Sequence, residues 1–216
     1  MEWLKRMVRR IYGSYCFADV SLFFLRRFLY RLPSGLFESP ENMALHHPRP
    51  AYPAHALIVP KRRVYAPYNW EADELERTLR DGLRAAKLLS PKAYSEALVW
   101  INGGCFQTFS QAHAHVYPRK TPIVTQPVDT HHFEGYTLTE CTRYGSEETS
   151  LLIFTAQENL FERFVDAFYH EIMPVYDLDA RGYSIYISTS LPADPAMPIE
   201  AIYIRMGARS AENQAE

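Results

Sequence analysis

Residues 111–117 read Gln-Ala-His-Ala-His-Val-Tyr, and this alternation constrains the fold more than any other stretch of the chain. As a strand it turns Gln111, His113, His115 and Tyr117 to one face and Ala112, Ala114 and Val116 to the other. On a helix the same residues would scatter around the axis, so period two is the consistent reading. The small apolar face calls for a packed layer behind it, and the polar face is left for chemistry. Two imidazoles held side by side on a rigid strand suit attack on phosphorus or the binding of a metal, and packing rarely needs them.

The flanking sequence offers a sheet for that strand and helices to cover it. Upstream, Leu36–Ser39, Met43–His47 and Ala54–Val59 are expected to be strands. Glu71–Leu89 is expected to be a helix with Leu75, Leu79, Leu83 and Ala86 on one stripe, and Ala97–Asn102 a further strand. Residues 121–134 are polar, carry prolines and show no periodicity, so they are expected to be a linker. Downstream, Tyr136–Tyr144 and Leu151–Ala156 are expected to be strands, Asn159–Met173 a helix stopped by Pro174, and Tyr183–Thr189 and Ile199–Met206 strands. Strands, a helix and two more strands therefore occur twice. The small, polar tail 207–216 is expected to be disordered.

At 216 residues the chain can bury one sizeable core or two small ones, and 47% hydrophobic with 22% charged residues is ordinary globular composition. A net charge of −2 gives no basis for a nucleic-acid binder. That charge is uneven: residues 1–31 hold seven Lys or Arg against Glu2 and Asp19, a net +5, which leaves −7 on the remainder. Residues 1–31 read as two amphipathic helices broken near Gly13-Ser14. Two readings of them stand: a helical layer packed on the sheet, or a basic surface in peripheral contact with anionic lipid. Cys16, Cys105 and Cys141 lie far apart, which fits a reducing cytoplasm better than a disulfide scaffold. No apolar run approaches the roughly 18 residues of a membrane-crossing helix; Val20–Leu25 is cut by Arg26-Arg27.

With these residues in view, the segment 107–119 resembles the histidine-triad (HIT) motif, three histidines separated by apolar residues. Gln111 stands at the place of the first histidine, His113 at the nucleophile and His115 at the third. Gln107 matches the glutamine four residues ahead of the triad. A second match, Asn42–Lys61 with its Pro53-Ala-His55-Ala-Leu-Ile-Val-Pro-Lys61 strand, resembles the family's paired strands upstream. The resemblance covers roughly residues 36–120 and implies an α+β fold, a HIT-like antiparallel sheet with helices. The second ββ-α-ββ half, 135–206, has no His-x-His. It is either a degenerate copy replacing the partner subunit of a HIT dimer, or an unrelated α+β appendage on the sheet edge. A one-chain tandem is similar to galactose-1-phosphate uridylyltransferases and CDP-diacylglycerol pyrophosphatases. The expected division is thus 1–31, 32–120, 121–134, 135–206 and 207–216.

The resemblance implies a nucleotide phosphoanhydride hydrolase or nucleotidyltransferase that passes through a covalent nucleotidyl-His113 intermediate. A neutral imidazole does not repel phosphate, and His115 can donate to its oxygens. Gln107, Thr108 and Asn102 are candidate neutral donors around the oxyanion. His55 matches a buried histidine beside the family's site, His47 a ribose-binding Asp or Asn, and Lys61 is a candidate phosphate contact. Glutamine does not titrate, so Gln111 is expected to hold the site rather than move protons. That substitution also keeps open a catalytically impaired, HIT-fold nucleotide-binding protein. No cofactor and no metal are expected, because two imidazoles without a third ligand make a poor metal site. The expected partner is a nucleotide-conjugate small molecule, with no nucleic acid, for a cytoplasmic monomer or homodimer.

Overall fold

Ten strands form one antiparallel sheet in the computed structural model, which describes residues 35–47, 54–62, 64, 70–89, 96–106, 112–119, 125–143, 149–190 and 199–207. They are β1 (Gly35–Glu38), β2 (Asn42–His46), β3 (Ala56–Pro60), β4 (Glu96–Gly103), β5 (Ala114–Arg119), β6 (Thr125–Phe133), β7 (Tyr136–Arg143), β8 (Thr149–Ala156), β9 (Tyr183–Ser190) and β10 (Ile202–Met206). Their spatial order is β1-β2-β3-β5-β4-β9-β10-β8-β7-β6. Read inward from either edge, the order of connection is the same: three consecutive strands, then the fifth, then the fourth. All eight residues of β4 pair with β9, and this seam joins the two halves.

The alternation along β4 and β5 places Ala97, Val99, Ile101, Ala112, Ala114 and Val116 on one buried face. Helix α1 (Ala72–Leu89) lays Leu75, Leu79, Leu83, Ala85 and Ala86 onto that face. Its acidic first turn, Asp73 and Glu74, and its basic last turn, Lys87, both complement the helix dipole. Gly82 sets the closeness of approach: a Cβ there would lie 2.2 Å from Val99 Cγ1. Asp81 accepts hydrogen bonds from Ser39 Oγ (2.7 Å) and Asn42 Nδ2 (2.8 Å), which pins the β1–β2 turn to the helix. In the second half, Phe161, Phe164 and Phe168 pack on Phe154 and Ile204 as part of the same core. The sheet's other face is free of helices among the described residues and holds a small cluster of Cys141, Leu151 and Tyr186.

Two expectations differ from what the structure shows. The 121–134 segment is not a linker throughout, because β6 occupies 125–133 and pairs with β7. It is an edge strand with most side chains exposed and an irregularity between Pro127 and Asp129, so it carries no apolar period to read. Nor does Pro174 stop the second helix. Helix α2 (Leu160–Ala167) runs into a π turn at Phe168–Ile172, and α3 (Met173–Tyr176) starts anew. Pro174 then falls in a first turn, where its missing N–H has no helical partner to lose. The chain is turned by Asp177 in the left-handed conformation (φ 48°) before α4 (Leu178–Arg181).

Gly207 is tied down by its N–H to Gly182 O (2.9 Å) and by Arg181 Nε donating to its carbonyl (2.9 Å). The rest of the tail, and the amphipathic segment 1–31, lie outside the described residues. No helix among those described is long and apolar enough to cross a membrane.

Candidate active site

The helix-free face carries the histidines, and strand pairing brings them together. Register pairs His46 with Ala56, and one step further His47 N–H donates to the His55 carbonyl at 2.9 Å. His47 and His55 are thus cross-strand neighbours, with rings stacked 4.2 Å apart at 16°. Ala54, just before, holds a left-handed φ of 60°, a conformation costing about 1 kcal/mol or more for a residue with a Cβ. That strained turn delivers His55 to the start of β3. His115 pairs across β5 with Leu57 on one side and Trp100 on the other. Its ring stacks on Trp100 at 5.1 Å, and Trp100 meets Tyr117 edge-on at 4.9 Å.

His55 Nε2 and His115 Nδ1 lie 3.1 Å apart. One must donate and the other accept, so His55 selects the tautomer of His115 and hence what its other nitrogen offers to a ligand. Both rings are held neutral. Burial, followed by repulsion from His113, His55 and His47, lowers His115 to about 3. Burial, followed by His47, lowers His55 to about 4. A neutral His115 can offer an N–H hydrogen bond to a ligand, but not a cationic acid.

His113 stands at the end of the row. Its ring meets that of His115 edge-on at 4.9 Å, and it is half-buried. Asn102 and His113 lie one step beyond the paired Ile101 and Ala114. Asn102 Oδ1 accepts a hydrogen bond from Ser184 Oγ at 2.7 Å, across the β4–β9 seam. The second half of the chain therefore orients a side chain beside His113.

The structure thus gathers His47, His55, His113, His115 and Asn102 on one face. Gln107, Thr108 and Gln111 lie outside the described residues. Lys61 is not brought to this place: it sits at the far end of β3, about 20 Å along the strand from His55. There its ammonium pairs with Glu38 and donates to Ser39 O (2.6 Å). A cavity of about 300 Å³ opens beside it, lined by Asn42, Lys61, Arg62, Trp70, Glu74 and Arg77. Its cations are matched, Arg62 by Glu74 (2.6 Å) and Arg77 by Glu41 (3.1 Å), so nothing there calls for an anionic ligand.

Sequence reasoning missed Trp100 and Ser184 as parts of the site. The signal for Trp100 was the same period two that placed His115, since Leu98, Trp100 and Asn102 alternate with the core residues of β4. Ser184 carried no local signal, because it enters through the seam. The ground for expecting no metal also changes: His47 and His55 join His115, with ligand atoms of all three within 4.8 Å of one another.

Residues 34–122 match the HIT domain family. No curated protein matches the sequence. Among solved structures, a DUF4931 family protein from Bacillus cereus ATCC 10987 is similar at a TM-score of 0.53 and 10% identity, covering 82% of this chain and 87% of its own. Yeast Ap4A phosphorylase in complex with AMP is similar at a TM-score of 0.49 and 13% identity, covering 86% of this chain and 64% of its own. A GalT-like protein from Arabidopsis thaliana is similar at a TM-score of 0.48 and 9% identity, with 87% and 84% covered. The segment that resembles a HIT domain, residues 34–122, ends just past the strand that carries His115.

Proposed function

We propose that the chain cleaves a nucleotide phosphoanhydride, or transfers its nucleotidyl group, through a covalent intermediate on His113. The observation that carries this reading is the row on one sheet face: His113 is flanked by His115, whose ring is fixed by His55 and Trp100, and by Asn102, which is fixed by Ser184. In the first step the lone pair of His113 attacks phosphorus. A P–N bond forms as the P–O bond to the leaving group breaks, and that oxygen departs with the electron pair. In the second step water, or an acceptor hydroxyl or phosphate, attacks phosphorus from the vacated side. The P–N pair returns to His113 and the acceptor's proton passes to solvent. His115 and Asn102 donate to the oxygens on which charge builds, and being neutral they add no repulsion when the site is empty.

The division into a catalytic half and a degenerate HIT-like half belongs to the same proposal. The mirrored connection order and the seam support it, and they disfavour an unrelated appendage. Gln111 is read as a holding group, so the chemistry does not depend on a proton route through it. The +5 charge of residues 1–31 supports peripheral contact with an anionic surface, and hence a lipid-linked nucleotide among the substrates. Salt-sensitive co-sedimentation with anionic vesicles tests that part.

Incubation with a panel of nucleotide conjugates, followed by intact mass measurement, tests the mechanism. A nucleotidyl adduct is expected on the wild-type chain and is absent from His113→Ala, which keeps its circular dichroism spectrum. Turnover retained in His113→Ala would sink the covalent route and favour a binding protein or another nucleophile.

A further inference from the structure

The imidazoles of His47, His55 and His115 meet beside His113. We propose that His47, His55 and His115 form a binding site for a divalent transition metal ion, zinc being the best match. The fourth position would face the sheet surface where His113 stands. The inference does not rest on the covalent reading of His113 and holds whether or not an adduct forms.

The geometry is the first argument. His55 Nε2 and His115 Nδ1 are 3.1 Å apart. Two nitrogens on one tetrahedral zinc, each about 2.0–2.1 Å from it, lie roughly 3.4 Å from each other. The pair is therefore already near the spacing of two ligands of one ion. The ligand atoms of all three histidines fall within 4.8 Å of one another, so small side-chain shifts close the set around one ion.

The second argument is how firmly the ligands are held. His47 and His55 are bonded through their backbones across the β2–β3 pair, and His115 sits on the neighbouring β5, stacked on Trp100. Such support orients the rings before any ion arrives. The third argument is donor chemistry. No carboxylate joins the group among the described residues, so hard cations such as magnesium and calcium are poorly served. An all-imidazole set suits zinc, copper or nickel, and three protein ligands with an open fourth position is the arrangement of reactive zinc sites. An ion there would be placed to take an oxygen of a phosphate approaching His113.

The test uses the full chain, stripped with a chelator and dialysed. Zinc is titrated by calorimetry and by competition with a chromogenic chelator, and cobalt(II) is added as a spectroscopic reporter. One zinc per chain is expected, together with the intense visible bands of tetrahedral cobalt. His47→Ala, His55→Ala and His115→Ala should each weaken zinc binding by more than the about 10–100-fold typical of losing an outer-shell partner. His113→Ala should leave binding unchanged. His47→Gln, at a half-buried strand end, serves where His55→Ala or His115→Ala fails to fold, and it too should lose the cobalt bands. Absence of stoichiometric zinc binding by the stripped wild-type chain overturns the proposal. So does binding that survives in both His47→Ala and His47→Gln, since the ion would then sit elsewhere, for instance on cysteines. Adduct formation on His113 is read separately, so either idea can fail alone.

Discussion

Acid should destabilise this protein through two particular side chains. An imidazole in an unfolded chain takes up its proton near pH 6.5. In the fold, burial and neighbouring imidazoles hold His55 down to about 4 and His115 to about 3. Between those limits the unfolded state binds up to two more protons than the folded state. Stability therefore falls as the pH drops through this window, and the contribution is fully present only above about 6.5. A fully displaced histidine contributes a slope of about 1.4 kcal/mol per pH unit. From about pH 6.5 to 4.5 that comes to roughly 2 kcal/mol for each ring. His115 is half-buried and screened by solvent, so about 3 kcal/mol is a fair figure for the pair. Urea unfolding of the metal-free protein at a series of pH values, in the presence of a chelator, measures it. The double variant His55→Gln, His115→Gln should lose about 3 kcal/mol less than wild type across the window. Equal acid slopes in the two proteins would refute the view that these rings are held neutral by the fold.

Three further outcomes are expected. Gly82→Ala should lower stability by about 1–3 kcal/mol in thermal unfolding, because the overlap with Val99 Cγ1 at 2.2 Å outweighs the roughly 1 kcal/mol of helix propensity gained. A more stable variant would contradict the close packing of α1 on β4. Ser184→Ala removes the hydrogen bond that orients Asn102, worth about 1 kcal/mol, so kcat should fall about fivefold with little change in KM. A change confined to KM would place Asn102 in ground-state binding. Gln111→His should be tolerated, with turnover equal to or above wild type; complete loss would reveal a substrate contact specific to the glutamine.

What could be read from the sequence was what a single strand or helix carries in its own pattern. The alternation at 111–117 placed His113, His115 and Tyr117 on one face, and the stripe Leu75, Leu79, Leu83, Ala86 placed α1 on the other. Pairing between strands was not legible. The meeting of His47 with His55 depends on a hairpin register, and that of both with His115 depends on β5 inserting between β3 and β4. The same applies to Ser184, which reaches Asn102 only because β9 lies next to β4. β6 looks like a linker in sequence because an exposed edge strand has no buried face to impose a period. Pro174 looks like a stop in sequence because nothing local announces the π turn that precedes it and leaves the proline in a first turn.

The seam between β4 and β9 also decides how this protein responds to dilution. Two separate chains joined edge to edge obey mass action, and the site they share disappears as they part. Here the joining strands belong to one polypeptide, so the proportion of assembled sheet is the same at any protein concentration. Ser184 is delivered to Asn102 at a fixed one-to-one ratio. The sheet is thus asymmetric in chemistry, with the histidine row on one half, while it stays symmetric in connection.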